Sequence, residues 1–143
     1  MLLRLFVYGT LQGEALTGMA RWLDNRVIAR ARARVCGRLV VLANRHGWYP
    51  ALLSDNGRVC GEVCTLRLSR GELALLDAYE GREYRRAVVR ARTANDVVTA
   101  QAYLWRMPVR RGMQIVPGGD FLAWAAASRR PILSSRNGRK PNI

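Results

Sequence analysis

The stretch that decides the fold is SRGELALLDAYEGREYRR, residues 69–86. Ser69 and Glu72 stand in the spacing of a capping box, where each side chain satisfies a backbone N–H at a helix start. Leu73, Leu76 and Glu80 follow at i, i+3 and i+7, so they share one helical face. Two of the three are leucines, so that face points to the core and carries Glu80 inward with it. Gly81 comes next, where a helix wants a left-handed terminator. Tyr84 then opens a second run, predicted as a strand to Thr93. A capped helix over Ser69–Glu80 is therefore expected between two strands.

Working outward, strands dominate. Arg58 to Leu68 alternates as a strand that puts Cys60, Glu62, Cys64 and Leu66 on one face. Asp55-Asn56-Gly57 before it carries a hairpin-turn signal, and Ala51–Leu53 reads as a short strand. Asn44 to Pro50 reads as a loop with two aromatics, Trp48 and Tyr49. Val27 to Val41 reads as one long strand bent at Gly37. Leu3 to Tyr8 is a buried strand ended by Gly9-Thr10, with the loop running on to Gly13. Ala15 to Leu23 has helical spacing at Leu16, Met19 and Leu23, weakened by Gly18. Downstream, Val97 to Arg106 is the next strand, joined to the Tyr84 strand by Ala94-Asn95-Asp96. Pro108 to Pro117 is irregular, and Asp120 to Ser128 is a last short helix after Gly118-Gly119. Many strands, few helices and no regular βα alternation give an α+β domain. Its strands are expected to curl into a compact mixed β-barrel with a few flanking short helices. The domain is expected over residues 1–128, with 129–143 a basic tail of Arg, Pro, Ser, Asn and Gly, flexible or loosely docked.

Composition narrows the function classes. The chain has 143 residues, one domain by length, and half of them are hydrophobic. No apolar run reaches the ~20 residues of a membrane span, so no membrane association is expected. MLLRLFVYGTL is too short and too soon interrupted for a secretory signal and reads as a strand, which places the chain in the cytoplasm. Three cysteines, Cys36, Cys60 and Cys64, and one histidine, His46, are too few for a structural zinc site. No metal or other cofactor is expected, and the cysteines read as buried reduced thiols. A Ser–His–Asp triad is excluded unless His46 supplies it, and His46 sits in what looks like a turn. The net charge of +14 is carried almost wholly by arginine. Such a balance suits an anionic partner. Yet Arg30, Arg32 and Arg34 alternate with small residues as a solvated strand face, Arg90 and Arg92 repeat the pattern, and no aromatics interleave as a stacking platform. Nucleic acid is thus disfavoured as a partner, though not excluded by charge. Oligomeric state is not legible.

The chemistry centres on Glu80. A carboxylate at a helix C-terminus meets the negative end of the macrodipole. Desolvation adds to that effect and raises the pKa toward the range of a general base. Arg82, Arg85 and Arg86 push the other way. The alternative is a structural ion pair with one of them, the commoner fate of a helix-end Glu. A second stretch, Tyr8-Gly9-Thr10-Leu11, lets the backbone turn sharply after a buried strand and present N–H groups that suit an oxyanion. Alone it is equally an ordinary turn. A third, Trp48-Tyr49-Pro50-Ala51-Leu52 followed by Gly61-Glu62-Val63, supplies aromatics that either wall a pocket or cap a core.

The ordered set is more specific than its members. FVYGTL at 6–11, YPAL at 49–52, GEV at 61–63, LDAYEG at 76–81, YRR at 84–86 and the Gly119-Asp120 step resemble the γ-glutamylcyclotransferase-like superfamily, including its AIG2-like and YtfP-like members. The resemblance runs from about Leu3 to Trp124. It implies a compact mixed β-barrel with a pocket between the first-strand loop and the acidic helix end. It implies cyclisation of a small γ-glutamyl amine or peptide to 5-oxoproline with release of a free amine, an acyl-transfer or lyase-type reaction without metal. Carried over by position, Glu80 matches the acid–base carboxylate, and Tyr8, Gly9, Thr10 and Leu11 match the substrate-binding loop. Tyr84 and Arg86 match the Tyr and Arg after the acidic motif, while Trp48, Tyr49 and Pro50 are implied pocket wall. The competing reading is a non-catalytic module on the same fold, binding a small ligand, or nucleic acid through its arginines.

Overall fold

The computed structural model describes residues 1–12 and 17–133. Strand β1 (Leu2–Val7) is followed by helix α1 (Gly18–Asp24), strands β2 (Val27–Asn44) and β3 (Gly47–Arg67), and helix α2 (Arg70–Glu80). Strands β4 (Tyr84–Arg92), β5 (Val97–Trp105) and β6 (Gln114–Ile115) then lead to helix α3 (Phe121–Ser128). The order β3-β1-β5-β4-β2-β6, with β3 also paired to β2, makes the sheet ring-like. All pairs are antiparallel except β1–β5, and two seams of the ring rest on single residue pairs, Leu5↔Gln101 and Arg34↔Arg92. The expected mixed α+β class, with strands curled into a ring and short flanking helices, is the architecture observed.

Strand β1 explains why the ring holds together. Leu3, Leu5 and Val7 join one hydrophobic cluster with Met19, Leu66 and Leu76, while Phe6 and Tyr8 join a second with Val41, Val63 and Phe121. A strand buried on both faces reads as a near-continuous apolar run, and LFVY at 5–8 is such a run. Ser69 and Glu72 form the expected capping box, with Ser69 N–H donating to Glu72 Oε1 at 2.9 Å and Glu72 N–H to Ser69 Oγ at 3.1 Å. Gly81 ends α2 at φ 84° but ψ 173°. That extended, positive-φ conformation is essentially glycine-only and differs from the left-handed terminator expected.

Three expectations are corrected. The hairpin turn lies at Asn44–Gly47, not at Asp55-Asn56-Gly57, and Trp48 to Pro50 belong to β3 instead of a loop. Residues 54–57 form a bulge opposite Gly37, since Cys36 pairs with Arg58 and Arg38 with Leu53. Among the cysteines only Cys64 is buried; Cys36 is exposed. The expected bend at Gly37 is the same irregularity seen from β2. The start of the first helix, expected at Ala15 and Leu16, and the loop at Gly13 lie outside the described residues; Thr17 caps the helix seen. Of the expected tail, Ile132 bridges to Trp48 and Leu133 is buried, and residues 134–143 lie outside the described residues. No helix among the described residues is long and apolar enough to cross a membrane.

Candidate active site

The C-terminal end of β1 and the C-terminal end of α2 meet at one hollow. Tyr8, Gly9, Thr10 and Leu11 line it from the turn after β1, Pro50 from β3, and Glu80 from the last turn of α2. It is shallow, with a cavity volume of about 20 Å³, room for about one water, and it opens to solvent. Glu80 is only 6% exposed despite its charge type. Leu76, one turn earlier on the same face, is fully buried, so the core contact of the helix aims the carboxylate. A buried carboxylate on the Leu76 face is the arrangement the i, i+3, i+7 spacing predicts.

The turn is built around Gly9. A Cβ placed there would lie 2.3 Å from Cγ of Pro50, so the proline ring packs where any other side chain would stand. Gln12 N–H donates to Gly9 O at 3.1 Å, closing the turn, and Thr17 Oγ1 donates to Thr10 O at 2.7 Å. Thr10 Oγ1 lies 3.4 Å from the hydroxyl of Tyr79. Among the described residues, the amide N–H groups of Thr10 and Leu11 make no hydrogen bond. The turn therefore retains donor capacity beside the hollow.

Three of the predicted residues stand behind this wall and do not line it. Tyr84 is buried and donates its hydroxyl to Pro50 O at 2.6 Å, bracing the proline that packs on Gly9. Tyr49 is buried in the larger hydrophobic cluster. Arg86 pairs with Asp77, Nε to Oδ1 at 3.0 Å, and donates to Gln101. Trp48 is further away, packed edge-on against Trp124 with the Arg130 guanidinium over its ring. Arg86, one of the arginines weighed as an ion-pair partner for Glu80, is thus held by Asp77.

Two residues that the motif reading did not single out complete the site. Tyr103, on β5, lines the hollow and donates its hydroxyl to Asp77 Oδ1 at 2.6 Å. Its backbone carbonyl accepts from the Tyr8 hydroxyl at 2.5 Å. Burial pushes the Tyr103 phenol far above its ordinary value, and the bond to Asp77 and the nearby Glu80 charge push the same way. It therefore stays a hydrogen-bond donor. Burial raises the Asp77 carboxyl, but the hydrogen bonds from Arg86 and Tyr103 and the Arg86 charge outweigh it, so the net shift is downward. Asp77 precedes Glu80 by one helical step of three, a spacing that makes them neighbours. That spacing was the available signal for Asp77; Tyr103 had none beyond its alternation on β5. No group of three or more His, Cys, Asp or Glu positioned to hold a metal occurs among the described residues.

A ring-like sheet with short flanking helices places the chain in the class of small mixed α+β proteins. Within it, this chain belongs to the AIG2-like gamma-glutamyl cyclotransferase family, whose model matches residues 5–123. Solved structures share the fold. The Bacillus subtilis protein YkqA superposes with a TM-score of 0.69 at 22% identity over 90% of this chain, which spans 43% of that protein's length. An Arabidopsis thaliana protein gives 0.63 at 27% identity, covering 90% of this chain and 83% of its own. An AIG2-like protein of Mus musculus gives 0.66 at 21% identity, over 84% of this chain and 88% of that one. No curated protein matches the sequence.

Proposed function

We propose that this chain is a γ-glutamylcyclotransferase-type enzyme with Glu80 as general acid and base. The observation that carries the reading is the shared hollow of Glu80 and the Tyr8–Leu11 turn. The substrate is a small γ-glutamyl amine or peptide. Its α-ammonium is no nucleophile until a base removes a proton, and Glu80 is the base. The freed amine attacks the substrate's own γ-carbonyl, forming the ring C–N bond. The bond to the departing nitrogen then breaks. Two protons leave the α-nitrogen and two arrive at the departing nitrogen, with Glu80 carrying protons between them. The products are 5-oxoproline and an ammonium. Because the attack is intramolecular, the protein has only to hold the chain folded on itself. Amide groups of the turn supply donors for the oxygen that gains charge. Tyr84 and Arg86 act from behind, the first on Pro50 and the second through Asp77 on Tyr103.

The test is incubation of the purified protein with a panel of γ-glutamyl amines and peptides, reading 5-oxoproline. Turnover of at least one is expected, and Glu80→Gln should lower it by about 10²–10⁴-fold with the melting temperature retained. No product from any member, or full activity in Glu80→Gln, overturns the reading.

A further inference from the structure

On the outer side of the ring the fold gathers arginines that lie far apart in the chain. Arg34 on β2, Arg58 on β3, and Arg90 and Arg92 on β4 line one open groove of about 740 Å³ with Cys36 and Asn56, and no Asp or Glu among the described residues lines it. All four arginines are exposed. Among the described residues none of the four is in an ion pair, whereas Arg26, Arg30, Arg38, Arg86 and Arg110 each are. The register brings them together: Arg34 is the cross-strand partner of Arg92, and Cys36, two residues on, is the partner of Arg58. Cross-strand partners stand about 5 Å apart at Cβ, and like charges so placed are unfavourable. Arg90 is one strand repeat, about 7 Å, from Arg92 on the same face. Four guanidinium groups thus spring from a patch about 10 Å across, two strand spacings wide.

We propose that this groove binds the phosphate backbone of a nucleic acid, independently of sequence. Guanidinium forks match phosphate oxygens bidentately and keep their charge at any working pH. A run of two or three neighbouring phosphates would relieve the Arg34–Arg92 repulsion and use all four forks. No aromatic side chain among the described residues lines the groove, so base stacking does not contribute, and the net charge of +14 favours encounter with a polyanion. The site shares no lining residue with the Glu80 hollow, so its test is independent of the cyclisation reading.

The experiment measures anisotropy of labelled 20-nucleotide single strands and duplexes against full-length protein as salt is raised, with no γ-glutamyl substrate present. Binding that weakens steeply with salt is expected. The double variant Arg34→Gln/Arg92→Gln should weaken it about tenfold and flatten the salt slope by ~1 to 2. Arg67→Gln/Arg70→Gln, which removes the same charge elsewhere, should leave the slope near that of the parent. Cys36 gives a site-resolved readout, since bound oligonucleotide should slow its alkylation. Absence of binding at low salt, equal weakening in both double variants, or an unprotected Cys36 overturns the proposal. So does binding of tripolyphosphate without binding of either oligonucleotide.

Discussion

Asp77 is the hinge of the site's polar scaffold. It takes Arg86 and the Tyr103 hydroxyl together and so fixes one wall of the hollow that Glu80 enters. Its folded pKa is depressed, below an unfolded value of about 4. The stability it contributes is therefore complete above that value and is lost as pH falls through the folded one. The side chain is 42% exposed, so solvent screens the pairing and the effect is modest. Asp77→Asn should melt below the parent at pH 6–7, and the gap should narrow as pH is lowered past about 4; a gap constant across this range would show that the charge is not what matters. Gly9 acts by space. In Gly9→Ala the new methyl meets the Pro50 ring at 2.3 Å, and a proline ring has no rotamer to retreat into. Overpacking of this kind costs about 1–3 kcal/mol. Turnover should fall further than that cost explains, because the turn moves against Glu80. Thermal melts beside 5-oxoproline assays separate the two losses. Glu80 and the Tyr8–Leu11 turn were legible in the sequence because each carries a local signal: helical spacing in one case, a strand followed by glycine in the other. Tyr103 was not, since its role depends on which strand β5 lies beside.

Helix α2 is the element in which local and tertiary signals agree most closely. Its capping box is complete, and Glu72 also pairs with Arg26 beyond α1. One carboxylate thus satisfies the N-cap amide and ties the helix start to the α1–β2 connection. Ser69→Ala removes the hydroxyl that accepts from Glu72 N–H and should cost about 1 kcal/mol, read as a lower midpoint in urea with unchanged slope. A loss of several kcal/mol would mean that the cap does more than cap. The β2–β3 hairpin shows the opposite balance. Asn44-Arg45-His46-Gly47 and Asp55-Asn56-Gly57 are both turn signals by composition, and local chemistry does not rank them. The long-range pairing does. Placing the turn at Asn44–Gly47 pairs Val40 with Ala51 and Leu42 with Tyr49, all of them buried. The second signal is then absorbed as a bulge, where Asp55 meets Arg38 at 2.8 Å.

For the molecule as a whole, closure depends on narrow seams and on what packs across them. The ring is joined at Leu5↔Gln101 and Arg34↔Arg92 by one residue pair each, so much of its cohesion must come from the two hydrophobic clusters on either side of β1. The chain after α3 contributes to that cohesion in a way its composition concealed. Arginine- and proline-rich residues were expected to be a loose tail from Arg129. Instead Trp48 N–H donates to Pro131 O and Leu133 N–H to Trp48 O, both at 2.9 Å, and the Arg130 guanidinium stacks over Trp48 and Trp124 at 4.4 and 5.0 Å. Leu133 is 1% exposed, inside the larger cluster. Removing a leucine so enclosed costs about 2–5 kcal/mol. A chain ending at Ser128 should therefore melt on the order of 10 °C below one ending at Leu133. Leu133→Ala in the full chain should reproduce part of the drop without changing length. Because Trp48 sits on the same strand as Pro50, and Pro50 packs on Gly9 in the site, the Ser128-ended chain should also lose turnover at temperatures where it is still folded. Equal melting of the two truncations would show that the segment rests on the fold without supporting it.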